Sequence, residues 1–186
     1  MRSSYIQNNY GEVFKSIINA FKPQRCVELG ILDGYSTSFI AGTLQEIGAG
    51  TLTAYDLFDG YQYQHGSMAE VTQRLADYKN LTIVEADAFK VHDRYQSSSV
   101  DFLHVDLSNT GEIVRKIMAA WDEKMVQGGV ILFEGGTQER DQIEWMVKYQ
   151  KQPIKPEIEI NEIIQRRYVY GTYLKFPGLT MLLKKR

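Results

Sequence analysis

Five carboxylates and a pair of glycines are spaced along this sequence as a ligand site would need them. The stretch "CVELGILDGYSTSFIAGTL", Cys26 to Leu44, runs from a short apolar segment through Gly30 and Gly34 into an amphipathic one. Gly30 permits a tight turn, and Gly34 lets a ligand approach the backbone. Ser36 then stands where a helix opens, and free N–H groups and hydroxyls there can receive a carboxylate. Glu28, just before the turn, can hold its backbone or meet a cationic ligand group. Asp56, with Leu57 beside it, closes the apolar run "TLTAYD", where a carboxylate can accept two hydrogen bonds from a ribose diol. Asp87 and Ala88 follow a third run, "LTIVEAD", within reach of an exocyclic amine. Asp106 follows "VDFLHV" and Glu134 ends "GVILFE", and two hard oxygen ligands there could hold Mg²⁺ or a similar ion. His65, in the loop "LFDGYQYQHGSM" with Tyr61 and Tyr63, is of a type that titrates near neutrality and serves as a general base.

Each of these residues also has a plainer reading. Two glycines after a strand are as often a structural turn, an Asp at a strand end is commonly a helix cap, and the loop aromatics can half-pack on the surface. Two nucleotide patterns are missing. The spacing Gly-x-x-x-Gly lacks the dinucleotide pattern Gly-x-Gly-x-x-Gly, and no Lys follows Gly34 as a phosphate-binding P-loop requires.

The elements that must position these groups alternate in type. β-Branched runs at "CVEL", "TLTAYD", "LTIVEAD", "VDFLHVD" and "GVILFE" are separated by helical patterns such as "STSFIAGTLQEI" and "TGEIVRKIMAAWDEKM". Such alternation implies parallel strands joined by right-handed crossovers. Beyond them "KPEIEINEII", "RYVYGTYLKF" and "LTMLLKKR" read as strands or strand-like pieces, the last two pairing antiparallel. The expected fold is α/β: a Rossmann-like doubly wound sheet, mostly parallel, of seven strands, with a C-terminal antiparallel hairpin and helices on both faces. It is expected as one domain over 1–186, with an N-terminal helix in 1–22 (Ile6 to Phe21), a cofactor-binding core in 23–150 and antiparallel strands in 151–186. Trp121 and Trp145 occur at helical spacing and read as core, Cys26 as buried and inert, and the aromatics of "QRRYVYGTYLKF" as one packed face.

Composition narrows the function classes. A formal net charge of -2 provides no field for nucleic acid or an anionic membrane. One cysteine excludes an internal disulfide and fits a reducing, cytoplasmic setting. No apolar run approaches the roughly 18 residues that cross a bilayer. The expected partner is a small molecule, with a homodimer through a sheet edge or helix face left open.

In order, "VELGILDGYST", "TAYD", "ADAF", "HVD" and "GGVILFE", from Val27 to Glu134, resemble the class I S-adenosylmethionine-dependent methyltransferases. The Glu-Leu-Gly-x-x-x-Gly-Tyr-Ser form is closer to catechol-type and macrocin-type O-methyltransferases than to the commoner Gly-x-Gly version. The resemblance implies that Gly30 and Gly34 line the methionine portion of S-adenosylmethionine and Ser36 bonds its carboxylate. It implies that Asp56 holds the ribose and that Asp87 and Ala88 flank the adenine. Glu28 would face the sulfonium end. Asp106 would bind the amino group or, with Glu134, a metal. Two positions depart from the pattern. Glu134-Gly135-Gly136 stands where the relatives carry an Asp-Asn or Asp pair, and Asn109 where catechol-type enzymes carry their lysine base. The implied activity is methyl transfer to a small-molecule oxygen; the other reading is a cofactor-binding module serving as a non-catalytic partner or regulator. Methylation of DNA amino groups fits less well, because "DLSNT" replaces the Asn/Asp-Pro-Pro-aromatic motif.

Overall fold

The computed structural model describes residues 1–186, which form two compact units, Met1–Val91 and His92–Arg186. In the first, a 3₁₀ turn (Ser4–Asn8) leads into α1 (Tyr10–Phe21), β1 (Arg25–Leu29), α2 (Tyr35–Ile47), β2 (Thr51–Asp56), α3 (Met68–Arg74) and β3 (Leu81–Glu85). Tyr10, Phe14 and Ile18 fall four apart on one face of α1 and are all buried, which is why this segment coils. Lys22 ends α1 in a left-handed conformation, its N–H on the Ile18 carbonyl, one residue before Pro23. The strands β1, β2 and β3 pair in parallel, with Leu29 opposite Tyr55 and Asp56 opposite Glu85. Ile31, Ala54, Phe58, Val71 and Leu75 form a core cluster beneath the loops that follow β1 and β2.

The second unit holds β4 (Val100–Val105), α4 (Gly111–Trp121), β5 (Met125–Glu134), α5 (Gln138–Asp141), α6 (Glu144–Lys148), α7 (Ile154–Ile160), α8 (Glu162–Arg167), β6 (Tyr168–Tyr173) and β7 (Leu179–Lys184). β5 runs parallel to β4, β7 antiparallel to β5, and β6 antiparallel to β7. From Phe102 to Val105 and from Val130 to Glu134 every residue is buried, as strands covered on both faces must be. The seven strands stand in the order β3-β2-β1-β4-β5-β7-β6, a mostly parallel, Rossmann-like sheet with helices around it and the expected antiparallel hairpin at one edge. No helix is long and apolar enough to cross a membrane.

Several expectations give way to the structure. "KPEIEINEII" is not a strand but the helices α7 and α8, so 151–186 is two helices followed by the hairpin. Its alternating Glu-Ile pattern masks a helical one: Ile154, Glu157 and Ile158 are buried on one face, while Ile160 is exposed. Buried Glu157 there meets the Arg115 guanidinium, Nε to Oε1 at 3.2 Å, which a charged residue facing inward requires. The helix expected from Ile6 begins instead at Tyr10, because Asn9 turns left-handed at φ 50°. Trp121 is buried as expected, but Trp145 is only half-buried, with the Arg140 guanidinium 5.3 Å above its ring. The aromatics of β6 do not form one packed face: Tyr168 is buried, while Tyr170 and Tyr173 on this edge strand are exposed.

Candidate functional site

The β1–α2 turn is braced from several sides, by Asp56, Arg2 and Arg74. Gly30 and Gly34 both take left-handed dihedrals, φ 92° and 85°, as their sequence positions require. A Cβ on Gly34 would also lie 2.9 Å from Leu75 Cδ1. Gly34 caps α2 without any side-chain hydrogen bond, so no side chain caps the first N–H groups of this thirteen-residue helix. The buried Thr37 Oγ1 in the same first turn also lacks a partner.

Asp56 ends β2 as expected, and its carboxylate serves the loops themselves. Oδ2 accepts from Ile31 N at 2.7 Å and Leu32 N at 3.1 Å, while Oδ1 accepts from Phe58 N at 2.8 Å. Leu32 and Phe58 are both left-handed, φ 50° and 43°, so Asp56 holds two strained residues in place. Of about four lone-pair positions on a carboxylate, three are taken and one remains.

Ser36 and Glu28 are a pair. Ser36 Oγ donates to Glu28 Oε1 at 2.6 Å, both residues buried, so the Ser36 proton is committed to the protein. The pairing ties the end of β1 to the first turn of α2 through side chains. Asp87 lies just past β3 and closes its own turn, accepting from Phe89 N at 2.9 Å and lying 3.4 Å from Lys90 Nζ. Ala88 beside it is buried and Leu57 is exposed.

The loop after β2 packs against the turn. Gly66 leaves no room for a side chain, since a Cβ there would fall 1.8 Å from the Leu32 carbonyl oxygen. His65 Nδ1 donates to the Tyr63 carbonyl at 2.8 Å, and Nε2 is 3.3 Å from Asp59, so both ring nitrogens are engaged inside their own loop. Tyr61 and Tyr63 meet edge to face, 5.4 Å between centroids, and burial pushes the Tyr61 hydroxyl above its ordinary range.

Residues that the sequence reading did not single out complete this first-unit site. Arg2 forks onto Asp33, Nε to Oδ2 at 3.0 Å and Nη2 to Oδ1 at 2.7 Å, and Nη2 also donates to the His65 carbonyl at 3.0 Å. The Arg2 hydrogen bond holds the Asp33 carboxyl down to about 2. Arg74, ending α3, donates to the Asp33 carbonyl at 2.6 Å. One signal was present: an acid as little exposed as Asp33 calls for a cation, although the sequence does not say which.

In the second unit Asp106 directly follows β4, and Glu134 ends β5 with only 8% of its side chain exposed. Its carboxylate lies 3.3 Å from Nη2 of equally buried Arg140. Asn109, at the lysine-base position, is buried and donates to the Val105 carbonyl at 2.9 Å. A divalent ion does not fit this donor set. Glu134 already balances a buried guanidinium, and nowhere do three or more His, Cys, Asp or Glu side chains gather as ligands. His104 is buried in β4, while His92 lies 3.4 Å from Asp93 on a short 3₁₀ turn. A hollow of about 430 Å³ beside α2, lined by Lys15, Phe39, Glu46 and Tyr78 among others, carries none of these candidate residues.

A glycine turn between β1 and α2, in a sheet of this strand order, is a Rossmann-like arrangement. The chain belongs to the methyltransferase domain family, whose model matches residues 27–134. Among solved structures it is similar to the O-methyltransferase TomG of Streptomyces achromogenes, solved with S-adenosylmethionine. The TM-score is 0.68 at 15% identity, covering 96% of this chain and 80% of that one. It is likewise similar to a methyltransferase from Geobacter sulfurreducens, with TM-score 0.69, 10% identity and coverage of 96% and 79%. The N-methyltransferase NodS of Bradyrhizobium japonicum, solved with S-adenosylhomocysteine, gives TM-score 0.68, 10% identity and coverage of 98% and 88%. No curated protein matches significantly.

Proposed function

We propose that this protein is an S-adenosylmethionine-dependent methyltransferase that transfers the methyl group to an oxygen of a small molecule in a reducing, cytoplasmic compartment. The observation that carries the reading is the β1–α2 turn. Two left-handed glycines deliver the chain to a helix whose first N–H groups have no protein cap, a cradle matched to the methionine carboxylate. The solved O-methyltransferase TomG with its bound cofactor supports the same cofactor here.

S-Adenosylmethionine supplies an electrophilic methyl group for in-line displacement, so the chain's task is alignment and exclusion of water. The α2 N–H groups would hold the carboxylate end, and the remaining lone pair of Asp56 would accept one ribose hydroxyl. Asp87 and Ala88, just past β3, would border the adenine. The Glu134–Arg140 pair leaves Glu134 no uncommitted charge to offer a divalent ion. Calorimetry with S-adenosylhomocysteine tests the cofactor, and transfer of labelled methyl groups to a panel of phenols, alcohols and amines tests the chemistry. No heat with the demethylated cofactor would remove the reading; transfer to amines alone would replace oxygen by nitrogen.

A further inference from the structure

We infer that Arg2 is a positioning residue for the cofactor turn, cancelling the charge of Asp33 and latching two segments over it; this rests on the cofactor reading above. Asp33 immediately precedes Gly34, the residue that caps α2. A ligand carboxylate arriving at that helix end would meet the Asp33 carboxylate as a like charge, which disfavours it. Arg2 answers both oxygens of Asp33 in a fork, and its backbone N–H donates to Oδ2 at 2.6 Å. The same guanidinium reaches the His65 carbonyl, so one side chain ties segment 2–9 and loop 57–67 to the turn.

The latch is anchored on both sides of Gly34. Arg2 holds Asp33 before it. Fully buried Tyr5 stacks on Tyr35 after it, 6.5 Å between centroids, and meets Phe14 edge to face at 5.1 Å. Tyr35 in turn accepts the Gly11 N–H on its hydroxyl. Arg2 therefore projects from a packed strap rather than a loose end. Its side chain is 54% exposed while that of Asp33 is 13% exposed, so the pair shields the carboxylate and stays reachable by salt. Arg74 and Glu70 are the other charged groups near the pair, Arg74 on the Asp33 carbonyl and Glu70 facing Arg2.

The test is titration calorimetry with S-adenosylhomocysteine on the full chain at neutral pH, across a salt series, with far-ultraviolet circular dichroism to confirm folding. Arg2→Ala should weaken binding about tenfold, as loss of a charge-assisted fork does. Arg2→Lys should recover part of the loss, because an ammonium cannot fork. Arg2→Ala combined with Asp33→Asn should bind more tightly than Arg2→Ala alone, since the uncompensated charge has gone. A purely structural brace would not produce that recovery. The gap between wild type and Arg2→Ala should narrow as salt rises. Wild-type affinity in Arg2→Ala, or a double variant no better than the single one, overturns the inference. A wild-type chain that takes up no S-adenosylhomocysteine removes the cofactor reading and this one with it.

Discussion

Asp56→Asn is the sharpest test of how the turn is held. The carboxylate accepts from Ile31, Leu32 and Phe58, and an amide offers only one accepting atom. In its best rotamer the Asn oxygen keeps Ile31 and Leu32, and its NH₂ then faces the Phe58 N–H, donor against donor. One hydrogen bond to a charged acceptor is lost, about 1.5–3 kcal/mol. Phe58, at φ 43°, is then kept left-handed by its buried ring in the core cluster and by the Tyr61 N–H on its carbonyl. For a chain of this size about 1 kcal/mol corresponds to 2–4 °C in melting temperature, so a fall of roughly 3–12 °C is expected. Thermal unfolding followed by circular dichroism reads it directly. Calorimetry then separates bracing from ribose recognition. If the remaining lone pair takes a ribose hydroxyl, the variant loses more affinity for S-adenosylhomocysteine than for its 2′,3′-dideoxy form. A melting temperature within about 1 °C of wild type would show that the three backbone bonds do not hold the turn, and the reasoning would fail.

Gly66→Ala places a methyl group where the Leu32 carbonyl now sits, so the turn must shift; affinity for S-adenosylhomocysteine should fall at least about tenfold, and unchanged affinity would count against the packing. Asp122 is buried and accepts from Tyr168 Oη at 2.9 Å, from Arg167 and, at longer range, from Lys184; burial and this carboxylate push the Tyr168 hydroxyl far above its ordinary value. Asp122→Ala should cost about 3–5 kcal/mol in urea unfolding, as removal of one buried ionic partner does, and a loss under about 1 kcal/mol would refute it. The Asp33 carboxyl lies near 2 in the folded chain against an ordinary 3.8, so its pair stabilises above about pH 4 and is lost as pH falls toward 2. The melting difference between wild type and Asp33→Asn should accordingly be present at neutral pH and gone near pH 2. Because Arg140 already occupies Glu134, adding MgCl₂ should release no binding heat, and a saturable isotherm would restore the metal reading.

The strand–helix alternation was legible because each β-branched run meets a helical period of its own kind. The five expected parallel runs became β1 to β5, and the two antiparallel ones became the edge hairpin. "KPEIEINEII" was misread for a physical reason. Alternating Glu and Ile satisfies a period of two as well as a helical face, and what decides is Arg115 on α4 neutralising Glu157, a contact between residues far apart in the chain. The same limit applies to Trp145, whose ring is capped by Arg140 instead of by the core.

At the site, residue type and strand position identified which acids stand at strand ends but not which donors they meet. Asp56 was expected to face a ligand, yet three backbone N–H groups reach it first, because the turn after β1 and the loop after β2 both contain left-handed residues that need an acceptor. Ser36 was expected to bond a carboxylate, yet the buried Glu28 carboxylate takes its proton. In both cases the protein's own backbone or a neighbouring acid uses the group first. On the proposed reading, ligand recognition then falls to the N–H groups opening α2 and the one remaining lone pair of Asp56. That transfer also explains why Asp33 cannot stand alone beside them: the nearer the cradle comes to being made of bare N–H groups, the more a neighbouring carboxylate competes for it, and the more the site depends on Arg2.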